Sequence, residues 1–260
     1  MARSDRPQDP PATEFEADPV VSDLISDNRP QYFGLVVVTG WPPTPKMVSS
    51  YRTFIENIRQ CFDDDDLIGD CPSVYLYDSA HLHVTVASLH PVRVRSIGAE
   101  PSTHYEALEK SWRHLVESAS RRPEWPTSPL EFEIDSCQIG RKAGIMLWKE
   151  STGGLAKIRS CLASEASEKN HSTESPLKIH SIPGIIHSTF LRFNRIPSSN
   201  GELVQSRLQS KVLPTLHDTF SGGAKSFDVK LVCERIPYMH IPNDEHHVIA
   251  SFPLCEKTSA

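Results

Sequence analysis

The chain has 260 residues, 38% hydrophobic and 23% charged, with a formal charge of −6, which is the make-up of a soluble globular protein rather than of a chain disordered throughout. That charge excludes nonspecific coating of duplex DNA or of an anionic membrane surface, yet leaves room for a local basic pocket that holds a phosphate. The six cysteines are scattered without a Cys-x-x-Cys pair, which excludes a zinc ribbon or a thioredoxin-like redox centre, and no run reaches the roughly 20 apolar residues that a membrane span requires.

Residues 1–28 are rich in Pro, Asp and Glu and lack periodicity, so they read as a disordered leader. The leader has no signal-peptide core, and a cytoplasmic or nuclear protein, monomeric, is expected. Residues 29–254 are expected to form one domain and 255–260 a tail. The β-branched run "QYFGLVVV" (31–38) predicts a buried strand that ends at Gly40-Trp41-Pro42-Pro43. A helix follows, with Thr44 as its cap, Pro45 at its first position, and Met47, Tyr51, Phe54, Ile55, Ile58 and Phe62 at helical spacing. The aspartates at 63–66 end it and read as a solvated loop.

"VYLY" (74–77) and "HLHVTVASL" (81–89) predict the next two strands, and 103–119 a helix with a Thr103/Glu106 capping box. Strands are expected at 130–134 and 144–148, then a helix over 153–166 built on Leu155, Ile158 and Leu162. The polar, Pro-broken stretch 167–183 reads as a long surface loop. Strand 184–193, helix 199–216 and strands 226–235 and 246–252 complete the chain. The order β, α, β, β, α, β is thus followed by β, α, β, α, β, β: allowing one extra strand per half, one pattern is written twice. The fold class is α+β.

Each half carries a His-x-Thr strand: His83-Val84-Thr85 and His187-Ser188-Thr189. Because strand side chains alternate, the imidazole and hydroxyl of each motif share a face, and Val84 or Ser188 turns to the other. His171-Ser172-Thr173 and His217-Asp218-Thr219 also match the tripeptide, but they fall in the polar loop and at a helix end. Only 83 and 187 lie within apolar strands at equivalent places of the repeat.

On these paired motifs the sequence resembles the 2H phosphoesterase superfamily, over roughly residues 31–252. The resemblance implies a duplicated, bilobal fold of two antiparallel-rich sheets with outer helices, lobes that exchange strands, and a central cleft. It implies His83 and His187 as catalytic residues beside one phosphate, Thr85 and Thr189 as phosphate-binding residues, and neither metal nor other cofactor. An imidazole with a pKa near 6.5 takes or gives a proton near neutral pH, so a pair on opposite sides of phosphorus serves as general base and general acid. The threonine hydroxyls would bond the nonbridging oxygens. The substrate implied is a nucleotide or an RNA end: a 2′,3′-cyclic phosphate, a 2′-5′ linkage or an RNA 3′ terminus.

Two other readings stand beside this one. His81 shares a strand face with His83, so the pair offers a metal site for a metal-dependent hydrolase, its further ligands drawn from Asp78, His240 or His246-His247; otherwise His81 lines the cleft mouth. A nucleotide- or RNA-binding module without turnover is the third. Arg93 and Arg95 follow the first motif strand, and Arg192 and Arg195 the second; Arg192 has the opposite parity to His187, which argues against its reaching the same ligand. Ser188 takes a place that faces the core, where a buried hydroxyl requires a partner. Trp41, Tyr75, Tyr77, Phe193 and Tyr238 are candidates for a base-stacking surface.

Overall fold

The computed structural model describes residues 13–18, 21, 32–69, 72–94, 102–170, 177–236 and 247–254. Two antiparallel sheets carry the fold. In the first, β1 (Tyr32–Thr39) runs between β3 (Val84–Val94) and β8 (Asp228–Glu234), and β9 (Val248–Pro253) pairs with the far side of β8. The second places β2 (Val74–Leu76), β6 (His187–Phe193), β5 (Ala143–Glu150), β4 (Leu130–Ile139) and β7 (Ala224–Ser226) in that spatial order. Each sheet therefore mixes strands from both halves of the chain. The class is α+β.

The helices are α1 (Pro45–Arg59), α2 (Asp64–Leu67), α3 (Ser102–Ala119), α4 (Gly154–Asn170), α5 (Gly201–Arg207) and α6 (Leu213–Thr219), the last two joined by a π-helical turn at Leu208–Val212. The Thr44 hydroxyl accepts the Met47 N–H at 3.3 Å, and Met47, Tyr51, Phe54, Ile55 and Ile58 form the buried stripe of α1. Along β1 the side chains divide. Phe33, Leu35 and Val37 enter the main core, while Val36 and Val38 join Trp41 and Val232 in a smaller cluster on the opposite face. No helix among the described residues is long and apolar enough to cross a membrane.

The structure departs from the sequence expectations in several places. Strand β3 begins at Val84, because Ser79–His81 is a 3-10 turn whose Ala80 N–H is capped by the Asp78 carboxylate at 2.8 Å; His81 and His83 do not alternate along one strand. Thr103 lies inside α3, which starts at Ser102, and does not cap it. The helix expected over 153–166 runs on to Asn170, and after the undescribed residues 171–176 the chain returns to the edge of β3, where Ser181 and Ser88 exchange backbone hydrogen bonds of 2.8 and 3.0 Å. Asp66 is not solvated: it is 1% exposed and accepts from the N–H and hydroxyl of both Ser198 and Ser199, which satisfies the buried carboxylate. Finally, residues 13–18, within the span read as an unstructured leader, are packed. Phe15 buries its ring on Phe193 with centroids 4.6 Å apart, and the Glu16 and Asp18 N–H groups donate to the Arg141 and Phe193 carbonyls. One apolar ring with edge backbone partners overcame the polar composition around it. His171, Arg95, Tyr238, His240, His246 and the 255–260 tail lie outside the described residues.

Candidate functional site

Strand β6 pairs with β5 so that His187 lies opposite Leu147, Ser188 opposite Met146 and Thr189 opposite Ile145. His187 and Thr189 are half-buried, and Ser188 and Phe190 between and after them are buried. The first motif repeats this pattern: His83 and Thr85 are half-buried, Val84 and Val86 buried. Each histidine and threonine thus shares one face, and the intervening residue points into the core. His83 stands one residue ahead of β3.

Both strands then bulge at the same offset from the motif. In β3 the pairing with β1 passes from Thr85–Val38 to Ala87–Val37 and skips Val86; in β6 the pairing with β5 passes from Thr189–Ile145 to Leu191–Gly144 and skips Phe190. An extra residue reverses the facing of everything beyond it. Arg192 pairs with Ala143, which shares the face of Ile145, so Arg192 falls on the same face as Thr189 and His187. This corrects the parity argument that set Arg192 apart. At the matching place of the first half stands Ser88, opposite Val36.

Two contacts join the motif segments. The Ser188 hydroxyl, 2% exposed, donates to the His83 carbonyl at 2.6 Å and accepts from the Trp148 indole N–H at 3.1 Å. Arg159, on α4, donates to the Thr85 and Val86 carbonyls at 3.1 Å each and to the Ile185 carbonyl at 3.4 Å. The bulge at Val86 turns these carbonyls out of the regular ladder, and the guanidinium takes them; Ile185 lies two residues before His187, so one side chain spans both segments. Burial holds the Arg159 pKa below its ordinary value.

The ring of His83 is oriented from behind. Its Nδ1 lies 2.7 Å from the His81 carbonyl, and because a carbonyl only accepts, Nδ1 carries the hydrogen and Nε2 holds the lone pair. Burial, reinforced by the nearby His187 and His81 and opposed by that hydrogen bond, pushes the His83 pKa down to about 4. The His187 pKa is lowered by burial and by the charges of Arg159 and Arg192, against the opposing effect of a hydrogen bond to the Ile185 carbonyl. Both rings therefore use the carbonyl two residues back, and each feels charge from the other motif's surroundings.

His81, the expected cleft-lining residue, sits in the 3-10 turn with its ring edge-on to Tyr77 at 6.1 Å, and supplies its carbonyl to His83. Burial lowers its pKa, with Asp78 acting in the opposite sense. Among the described residues no three His, Cys, Asp or Glu side chains are grouped as metal ligands. The stacking candidates are mostly core: Trp41, Tyr77 and Phe193 are buried, and Tyr75 is half-buried. Trp41 donates its indole N–H to the Ala80 carbonyl at 2.8 Å.

Sequence reasoning missed Arg159, although its signal was present: it sits at the fourth place after Leu155 and the third before Leu162, a cation inside an apolar stripe. It also missed Lys230, which lies opposite Val38 on the Thr85 face, 6.0 Å from the Trp41 ring centre.

No protein-family model matches the sequence, and no curated protein matches it. Solved structures with a similar fold include a conserved protein of unknown function from Agrobacterium tumefaciens (13% identity, 94% of this chain and 95% of that one covered, TM-score 0.54). A Thermus thermophilus protein is similar at 13% identity, with 85% of this chain and 97% of that one covered and a TM-score of 0.50. E. coli LigT complexed with 3'-AMP is similar at 14% identity, with 78% and 88% covered and a TM-score of 0.42. At these identities the likeness is one of fold, an α+β arrangement of two antiparallel sheets with helices.

Proposed function

We propose that the chain is a metal-independent phosphodiesterase of the 2H type, acting on a nucleotide or RNA end in the cytoplasm or nucleus. The observation that carries this reading is the tie between the motifs: the Ser188 hydroxyl of one reaches the His83 carbonyl of the other at 2.6 Å, and Arg159 bridges the same two segments. Two imidazoles, each on a face with a threonine hydroxyl, thereby share one neighbourhood with Arg159 and Arg192.

In this reading a phosphodiester anion lies beside His187, drawn by Arg159 and Arg192, with Thr85 and Thr189 donating to nonbridging oxygens where charge grows in the transition state. His83 is neutral at physiological pH, with Nε2 unprotonated, and is the general base. It takes a proton from water, whose oxygen forms the new bond to phosphorus. His187 is the general acid: the anion's charge offsets that of the arginines and supports its protonated form, and it gives that proton to the departing ribose oxygen as the P–O bond breaks. On a 2′,3′-cyclic phosphate the product is a phosphomonoester. On an RNA 3′ end a neighbouring 2′-hydroxyl replaces water as the nucleophile.

The test is a chelator-treated assay on 2′,3′-cyclic nucleotides, 2′-5′ oligoadenylate and short RNAs. His83→Ala and His187→Ala should each lower kcat/KM by a factor of about 10² to 10⁴. Full activity in both variants, or activity abolished by the chelator, overturns the reading.

A further inference from the structure

The N-terminal segment reaches the same face of β6 that carries His187 and Thr189. Asp18 is 5% exposed, and its carboxylate lies 2.7 Å from an Nη of Arg192. The Arg192 Nε donates to the Tyr77 hydroxyl at 3.2 Å, and the Asp18 N–H donates to the Phe193 carbonyl, the residue next to Arg192, at 2.7 Å. The segment is anchored independently of this contact. Phe15 packs on Phe193, Glu16 pairs with Arg141 and Lys142, and the Thr13 carbonyl fills the space that a Cβ at Gly201 would need.

We propose that residues 13–18 are a built part of the site and that Asp18 is a positioning residue that fixes the Arg192 guanidinium toward the anion bound beside His187. The identity of that anion, a phosphodiester, rests on the reading above; the positioning itself rests on the contacts of Asp18. A guanidinium is a planar fork, so holding Nε on Tyr77 and one Nη on Asp18 sets its plane as well as its place. Four side-chain torsions that would otherwise sample many rotamers are ordered before ligand arrives, and preorganisation of this kind raises affinity without adding a contact to the ligand. The carboxylate is carried by a segment that composition alone marks as unstructured, which ties completion of the site to docking of that segment.

The experiment uses the full chain and the variants Asp18→Ala, Asp18→Asn, Arg192→Ala and Asp18→Ala/Arg192→Ala. Two quantities are read: kcat and KM on 2′,3′-cyclic AMP, and the Kd of inorganic phosphate by calorimetry, each at a temperature where thermal melts show the variant folded. Asp18→Ala should raise KM and the phosphate Kd roughly 10-fold, with a smaller change in kcat. The isosteric Asp18→Asn should shift both in the same direction. The double variant should match Arg192→Ala within about twofold, since Asp18 acts through Arg192. Gly201→Ala, which displaces the Thr13 carbonyl, should weaken phosphate binding in the same direction.

Wild-type phosphate affinity in both Asp18 variants overturns the proposal, as does tighter binding in Asp18→Ala, or a double variant multiplicatively worse than either single one. Should the wild type turn over no diester while its phosphate affinity still depends on Asp18 through Arg192, the catalytic reading falls and this inference stands.

Discussion

Replacing Ser188 with alanine tests whether the tie between the two motifs is energetically real. The hydroxyl is buried and makes two hydrogen bonds, to the His83 carbonyl at 2.6 Å and from the Trp148 indole at 3.1 Å. Alanine leaves both of those groups without their partner. Each buried polar group left unsatisfied costs about 1–3 kcal/mol, and the His83 carbonyl, only partly buried, belongs at the low end, so the loss should be about 2–4 kcal/mol. For a chain of this size each kcal/mol moves Tm by about 2–4 °C, which gives a fall of about 4–16 °C by calorimetry. Trp148→Phe in the Ser188→Ala background removes the orphaned donor, so the double variant should cost less than the sum of the singles by about 1 kcal/mol. Because the bond holds the backbone of His83 against β6, kcat/KM should also fall about 10-fold with both imidazoles intact. A Ser188→Ala protein with unchanged Tm and unchanged kcat/KM would mean that the two segments are held together by something else, and the argument from this bond would be refuted.

The pH profile supplies a second test. With His83 as base at about 4 and the His187 acid held below the usual imidazole value of about 6.5, kcat/KM on 2′,3′-cyclic AMP should be greatest between about pH 4 and 6.5; an acid limb near 6.5 would sink the assignment. The same depression predicts that stability declines as pH falls through that window, because the unfolded chain binds the His83 proton first, with an upper limit of about 3 kcal/mol visible in urea titrations. Arg159→Met removes a charge that lowers the His187 pKa, so the alkaline limb of kcat/KM should move to higher pH, together with a loss of Tm from the three unpaired carbonyls. At Asp66 burial raises the carboxyl pKa, but hydrogen bonds from Ser199 and Ser198 outweigh it and hold the group below its ordinary value. That contribution is present above the unfolded value near 4 and is lost as pH falls through the lower folded one. Asp66→Ala should therefore destabilise by about 3 kcal/mol at pH 7 with kcat/KM unchanged, and an equal Tm would contradict it.

The two His-x-Thr segments were legible because strand periodicity and a twofold pattern are properties of the sequence itself. The apolar runs around 83 and 187 told them apart from the matches at 171 and 217 without any knowledge of contacts. What was not legible depended on single backbone events. A bulge at Phe190, which nothing in "HSTFLRF" announces, moved Arg192 onto the face that simple alternation denied it. The 3-10 turn at 79–81 took His81 out of the strand; here Asp78 was a readable cap, but an apolar run after it outweighed the signal. Docking of 13–18 depends on Phe15, Glu16 and Asp18 finding partners at Phe193, Arg141, Lys142 and Arg192 across the fold, and pairings of that separation leave no local trace. Arg159 was missed for the opposite reason: it broke a helical stripe in plain view, and a charged residue at a core position is a demand for partners.

The two halves share their motif, their bulge and the carbonyl two residues behind each histidine, so the differences between them are informative. Beyond the bulge the second half presents Arg192 where the first presents Ser88, whose backbone is engaged with Ser181. Arg159, although it bonds the first motif's carbonyls, lowers the proton affinity of the second motif's histidine. Burial is the leading influence on both rings, and the charges of Arg159 and Arg192 add to it at His187, whereas the neighbouring histidines add to it at His83. An anion entering such a site gains most by lying against His187, and once there it raises the proton affinity of the ring it touches. In the proposed reading His83, which feels burial and the neighbouring histidines, stays neutral, and one residue beyond the bulge and one on α4 suffice to make the two imidazoles inequivalent, His187 as the acid and His83 as the base.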